Sequence, residues 1–321
     1  MNEENGSNGA DPLRDLFAHV RPRAAPPAED EAEIRRALFL EWDALTGRRV
    51  LLKRFGTAAA AAVLIAGFAA LLLRTSTAPA AVVASVERMR GDAEIDGVAL
   101  TIGSRIPSAA RIDTHSGQIA LRLEGGGSLR LGPQTELTFA AAGRATLDSG
   151  AVYFDSETGA PAARVEIRTA FGTVRDLGTQ FIARLVADRL EVGVRDGSVS
   201  IARAADSIDV QPGERVSVAR GTDRPRREQI ATFGADWDWA ERLAPPFAID
   251  GRRLIDFLRW VEAQTGRTLA FADAASEQAA RDTILTGSID LEPLPKLAAV
   301  IATTDLDYSL DRQRIVIRTG K

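Results

Sequence analysis

From Val82 to Val218 apolar and polar residues alternate in short period-2 runs, broken by Gly, Asp and Pro at intervals of roughly ten residues. This predicts an antiparallel all-β domain. Ile119-Leu121-Leu123, Leu129-Leu131, Leu137-Phe139, Val165-Ile167, Leu190-Val192-Val194, Val199-Ile201 and Val216-Val218 each place one face of a strand in a core and the other toward solvent. Gly125-Gly126-Gly127 has the composition of a phosphate loop, but no helix-forming segment follows and no Gly-Lys-Ser/Thr is present, so it reads as a hairpin turn. Asp196-Gly197, between two strand-like runs, reads as a type I′ hairpin.

Downstream the period changes. Residues 219–246 read as a linker rich in charge and Pro that docks Trp237 and Trp239 on a neighbouring domain; its arginines are cancelled by Asp223, Glu228, Asp236, Asp238 and Glu241, which argues against nucleic-acid binding. Phe247-Ala248-Ile249 then reads as a strand, and Leu254, Phe257, Leu258 and Val261 as one face of a helix closed by Gly266. Short strands at Leu269–Phe271 and Thr283–Leu285, a helix carrying Leu294, Leu297, Ala298 and Ile301, and a final hairpin at Tyr308–Leu310 and Ile315–Ile317 complete a βαβ-βαβ order over residues 247–319.

Upstream, the nineteen residues Phe55 to Leu73 carry no charge. At about 1.5 Å per residue they span roughly the 30 Å of a bilayer's hydrocarbon layer, so a transmembrane helix is expected. Arg48, Arg49, Lys53 and Arg54 crowd its N-terminal flank against Arg74 on the other side, which leaves the N-terminus cytoplasmic. Ala78-Pro79-Ala80 loosely fits a signal-peptidase site, but the arm ahead of the apolar run exceeds a normal n-region, so an uncleaved anchor is expected. Within residues 1–54, Asp11-Pro12 is a helix-start signal ahead of Leu13, Leu16, Phe17 and Val20. After a Pro-rich break, the acidic cluster from Glu29 to Glu33 suits the start of a second helix running to about Thr46. Ile34, Leu38, Trp42 and Leu45 share one of its faces, widened by Phe39 and Leu40. Two short helices cannot bury enough surface alone, so their apolar faces need a partner protein or each other in a loose hairpin; a partner is the better reading, with Leu13, Leu16, Phe17, Ile34, Leu38, Trp42 and Leu45 as candidate partner-binding residues. The fold class expected overall is mainly β with a C-terminal α+β (βαβ-βαβ) module, one transmembrane helix and a short helical N-terminal arm.

Composition narrows the chemistry. The 321 residues hold Lys+Arg 40 against Asp+Glu 44, a net charge of -4, which makes chain-wide affinity for nucleic acid unexpected. With Cys 0 and His 2 there is no thiolate nucleophile and no histidine-rich zinc site. No Gly-x-Ser-x-Gly elbow is present, and His115, between Thr114 and Ser116, sits in an expected strand turn. Asp305-x-Asp307-x-x-x-Asp311 lacks the glycine and terminal Glu of a calcium loop and reads as an acidic hairpin rim. No enzyme, metal or cofactor is expected.

Arg168-Thr169-Ala170-Phe171-Gly172-Thr173-Val174, then Leu177-Gly178-Thr179-Gln180-Phe181, then Leu190-Glu191-Val192-Gly193-Val194-Arg195-Asp196-Gly197-Ser198-Val199 resembles the core signature of the FecR family. The resemblance covers roughly residues 85–218 and rests on Gly172, Gly178, Thr179, Phe181, Val192, Val194, Gly197 and Val199 as structural positions, closing at Val210-Gln211-Pro212-Gly213-Glu214. Gly178 and Gly197 each suit a strand turn that needs positive φ or no side chain. Residues 247–319 resemble the short N-terminal (STN) domain of secretins and TonB-dependent receptors, on Phe247-Ala248-Ile249-Asp250, Leu254 to Leu258 and Gln264-Thr265-Gly266.

The resemblance implies a single-pass inner-membrane anti-sigma factor or signal transducer with its C-terminal domains in the periplasm. The arm would bind an ECF-type sigma factor, and the C-terminal module would contact the signalling domain of a TonB-dependent outer-membrane receptor loaded with an iron complex. The alternative is a membrane-anchored envelope protein that grips glycan without a regulatory role.

Overall fold

The computed structural model describes residues 32–41, 80–156, 164–203, 206–221, 224–311 and 313–320. Two units divide the chain, Met1–Ala78 and Pro79–Lys321. In the first, residues 32–41 form helix α1. Leu13, Leu16, Phe17, Trp42, Leu45, the run 55–73 and its flanking Arg48, Arg49, Lys53 and Arg54 lie outside the described residues. Among the described residues no helix is long and apolar enough to cross a membrane.

The second unit begins with eighteen strands: β1 (Val82–Arg90), β2 (Glu94–Ile95), β3 (Val98–Ala99), β4 (Arg105–Pro107), β5 (Arg111–Asp113), β6 (Gln118–Leu123), β7 (Ser128–Leu131), β8 (Glu136–Ala141), β9 (Arg144–Ser149), β10 (Ala151–Asp155), β11 (Glu166–Thr169), β12 (Gly172–Asp176), β13 (Gln180–Val186), β14 (Arg189–Asp196), β15 (Val199–Ala202), β16 (Ser207–Val210), β17 (Glu214–Ala219) and β18 (Arg226–Gln229). They make two nine-stranded sheets, one ordered β18-β17-β14-β13-β10-β7-β6-β1-β4 and the other β16-β15-β12-β11-β9-β8-β5-β2-β3. The chain passes back and forth between the sheets as it advances, so both grow in step. Pairing is antiparallel except between β9 and β11.

The period-2 residues meet between the sheets. Leu121, Leu129, Phe154, Phe181, Val192, Val194 and Val216 of the first sheet share one buried cluster with Leu137, Phe139, Ile167, Val174, Val199 and Ile201 of the second. Each such side chain contributes about 1.5–3 kcal/mol by leaving water. Gly125-Gly126-Gly127 forms the β6–β7 hairpin turn as expected. Asp196-Gly197 does not form a hairpin. β14 pairs with β13 and β17 in one sheet, while β15 pairs with β12 and β16 in the other, so these residues mark a crossing between sheets.

Residues 219–246, expected as a linker, carry edge strand β18 and a short helix, α2 (Asp238–Glu241). Trp237 is 0% exposed and packs on the outer face of the first sheet with Tyr153, Ile182 and Ala240. β10 is therefore covered on both faces.

The C-terminal part departs from the βαβ-βαβ order. Its elements are α3 (Leu254–Thr265), β19 (Thr268–Phe271), α4 (Ala274–Asp282), α5 (Pro293–Ile301), β20 (Leu306–Leu310) and β21 (Arg314–Thr319), with one three-stranded sheet ordered β19-β21-β20. β19 runs parallel to β21 and β20 antiparallel. Two expected strands are absent. Phe247 instead puts its ring against Phe257 and Trp260, at 5.8 and 5.5 Å between centroids, and its carbonyl accepts from the buried Lys296 ammonium at 2.7 Å. The stretch 283–285 makes a single bridge to Arg253 after serving as the end of α4. α4 itself was not expected; Asp273 and Ser276 start it with a reciprocal capping box.

Candidate functional site

Three places carry the residues that sequence reasoning singled out or missed. The first is α1. Ile34 and Leu38 lie one turn apart and are 58% and 62% exposed, and Phe39 and Leu40 are also exposed. Four large apolar side chains are thus exposed on these ten helical residues.

The second is the ring of signature residues. Phe181, Val192, Val194 and Val199 are buried at 0% exposure, and Phe181 packs against Phe154 at 5.8 Å between centroids. Gly172 opens β12 at φ 148°. Two sheet-to-sheet crossings lie side by side here: residues 177–179 carry the chain from β12 to β13, and residues 197–198 carry it from β14 to β15. Leu177 N–H donates to Ser198 O at 3.3 Å between them. Gly178 and Gly197 have φ of 99° and 73°, and a Cβ on Gly197 would lie 2.2 Å from Gly178 O. The second glycine is thus required twice, for its backbone angle and for the contact. Asp176 closes the corner: its Oδ1 accepts from Gly178 N–H at 2.9 Å and from the Thr179 hydroxyl. Burial pushes the Asp176 carboxyl above its ordinary range even though those bonds favour the charged form.

The third place is where α3 meets the outer face of the first sheet, and sequence reasoning missed it. Arg130 on β7 is 0% exposed; its Nη1 donates to Ala240 O at 2.6 Å, its Nη2 donates to Gln264 Oε1, and Asp155 Oδ2 stands 3.7 Å away. Gln264 Nε2 donates in turn to Asp155 Oδ2 at 3.0 Å. Arg195 on β14 donates to Gln264 O and to Glu241 Oε1, each at 2.8 Å, with its guanidinium 4.5 Å from the Trp237 ring centroid. Arg130 lies 4.7 Å from the Tyr153 centroid. A cation at the C-terminal end of α3 complements the helix dipole. Gly266, in the left-handed conformation that ends α3, lets the chain approach until a Cβ would meet Thr232 O at 2.0 Å. Burial pushes the Tyr153 phenol up to about 12, with Asp155 adding to the effect. Burial also raises the Glu241 carboxyl, against the pull of Arg195.

Arg130 reads as solvent-facing in Leu129-Arg130-Leu131, so the period-2 rule hides it. The signal that could have found this place is Val152-Tyr153-Phe154, a continuous apolar run that marks a strand covered on both faces.

Among the described residues no group of three or more His, Cys, Asp or Glu could hold a metal ion. His115 sits in the turn between β5 and β6, its Nε2 3.4 Å from Glu94 and its Nδ1 3.2 Å from Asp113. Asp307 pairs with Arg318 and Asp311 with Arg314 on the β20–β21 hairpin, the acidic rim expected there.

No curated protein matches the chain. Among solved structures, two crystal structures of a candidate anti-sigma factor from Parabacteroides distasonis, at 2.50 Å and 1.65 Å resolution, match with 17% and 16% identity. Both cover 65% of this chain, with 97% and 98% of the other chain and a TM-score of 0.33, too distant to transfer anything to this protein. Residues 110–200, which contain both glycine corners and the strands around them, match the family model described as FecR protein.

Proposed function

We propose that this chain is a signal transducer of the FecR type that holds a sigma factor through its N-terminal arm. The observation that carries the reading is the family match over residues 110–200, which spans every signature position from Gly172 to Val199. The exposed Ile34, Leu38, Phe39 and Leu40 of α1 support it, because a helix with this much uncovered apolar surface is suited to a protein partner.

In this reading residues 55–73 cross the inner membrane, the arm is cytoplasmic and the unit from Pro79 onward is periplasmic. The sigma factor is of the ECF type, and the C-terminal α/β part receives the signalling domain of a TonB-dependent receptor. One span cannot readily convey a small rotation, so the arm is controlled by exposure or by proteolysis rather than by a graded twist.

A pull-down with residues 1–54 against the sigma factors of the same genome tests the proposal. Capture of one ECF-type factor, lost on Leu38→Ala, is expected. An arm that retains none overturns the sigma-factor half and leaves an envelope-anchored binding protein as the better reading.

A further inference from the structure

Most described sheet edges of this chain are closed to an additional strand. β18 is Arg-Arg-Glu-Gln and exposed throughout, and β4 ends on Pro107, which has no N–H. Arg227 Nη1 caps the edge strand β16 at Asp209 O. In the small sheet, Glu262 Oε1 takes Leu269 N–H at 2.7 Å, and Asp307 Oδ1 takes Tyr308 N–H at 2.8 Å. Charge, proline and side-chain caps are the means by which proteins prevent strand addition.

Residues 284–288 lack them. In the bridge between Ile284 and Arg253 the hydrogen bonds are made by the neighbours, Leu285 N–H to Arg252 O at 2.8 Å and Leu254 N–H to Thr283 O at 2.9 Å. The N–H and C=O of Ile284 therefore point the other way, and alternation turns those of Thr286 to the same side. Gly287 N–H points back, to Asp250 Oδ1 at 3.0 Å. Among the described residues none of the four outward groups on Ile284 and Thr286 has a hydrogen-bond partner. Ile284 is 53% exposed.

The segment lines a cleft of about 410 Å³ together with Ile249, Ala299, Val300, Thr303 and Thr304, and no lining residue is ionisable. The Thr303 and Thr304 hydroxyls are spent on Val300 O and Ile301 O. In a chain with 26% charged residues, a cleft without one rejects a charged segment, whose desolvation nothing here would offset.

We propose that residues 284–288 are the docking edge for an extended, uncharged segment of an envelope partner protein, which adds as a strand along Ile284 and Thr286 with apolar side chains in the neutral cleft. The proposal deepens the functional reading above, on which it depends only for the partner's being an envelope protein.

The test is site-specific photo-cross-linking in cells, with the full-length chain carrying the cross-linker at Ser288 and, as a control, at Gln229 in β18. The Ser288 probe is expected to join an uncharged extended segment of another protein, mapped by mass spectrometry, while the Gln229 probe does not. Thr286→Pro, which removes one outward N–H, lowers the yield at least tenfold, and Thr286→Val, which keeps it, does not. Should Thr286→Pro fail to fold, Thr303→Asp decides, because it places a charge in the cleft from an exposed position and lowers the yield likewise. No cross-link at Ser288, a cross-link to a second copy of this chain or to a charged segment, or a yield indifferent to Thr303→Asp overturns the proposal. Sigma-factor capture by the arm is a separate readout, so either idea can fail without the other.

Discussion

Gly197 rests against the carbonyl of Gly178 so closely that a Cβ would stand 2.2 Å from the oxygen, with φ at 73°. The two glycines lie on adjacent crossings between sheets, and neither crossing can move without opening the other. Gly197→Ala is therefore expected to cost about 2–3 kcal/mol from the left-handed backbone and the clash together. Urea denaturation of the full chain checks this. A loss below about 0.5 kcal/mol would mean that the corner is slack.

Removing the Arg130 guanidinium leaves Asp155 and the Gln264 amide buried without their cation. Arg130→Ala is expected to destabilise the chain by about 3–5 kcal/mol. Arg130→Ala with Asp155→Ala costs less than the sum of the two, since the second change removes the stranded charge. Tryptophan fluorescence through chemical denaturation reports both, because Trp237 is buried in the same place. Strict additivity would show that the ion pair is not coupled.

Asp176 gives a pH dependence of known sign. Its carboxyl titrates higher in the folded chain than its ordinary value of 3.8, so folding favours the protonated form. The contribution is most favourable in acid and is lost as pH rises through the raised folded value. Asp176→Asn keeps an oxygen acceptor for Gly178 N–H without the buried charge. The variant should match or exceed the parent in melting temperature at pH 7, and the difference should shrink as pH falls toward 4. A difference that grows in acid would reverse the assignment.

For the arm, Leu38→Ala should weaken sigma-factor capture at least tenfold, as expected for an apolar anchor at an interface centre. Arg36→Ala, roughly opposite Ile34 and Leu38 around the helix, should change it by less than threefold. Isothermal titration with the captured factor measures both. Equal losses would point to charge rather than burial.

The sandwich was legible because period-2 alternation is a direct consequence of having one wet and one dry face: Leu121, Leu137, Val192 and Val199 all fall where alternation puts them. The same rule concealed the junction. Arg130 alternates like a solvent-facing residue, and only tertiary covering by α2 and α3 buries it. Asp196-Gly197 has hairpin chemistry, yet a tight left-handed turn serves a crossing between sheets equally well, and local sequence does not distinguish them. α4 escaped because Ser276 and Ala280 are its only buried residues, too few for an apolar stripe; the Asp273 cap and the Glu277–Arg281 pair were the available signs. Phe247-Ala248-Ile249 was apolar enough for a strand, but ring packing on Trp260 claimed it instead.

The position of Gln264 bears on any attempt to dissect this protein by truncation. A version stopped at Pro246 would keep Trp237 and α2 but lose the amide and carbonyl that receive Arg130 and Arg195. The partner of β1 would go as well, since Arg88 and Arg90 pair with Asp290 and Glu292. Such a shortened protein would present cations to water that the intact molecule keeps hidden, and its phenotype would mix the loss of the C-terminal part with a newly bared, sticky sheet. Point changes at exposed positions such as Thr303 separate those causes; deletions do not.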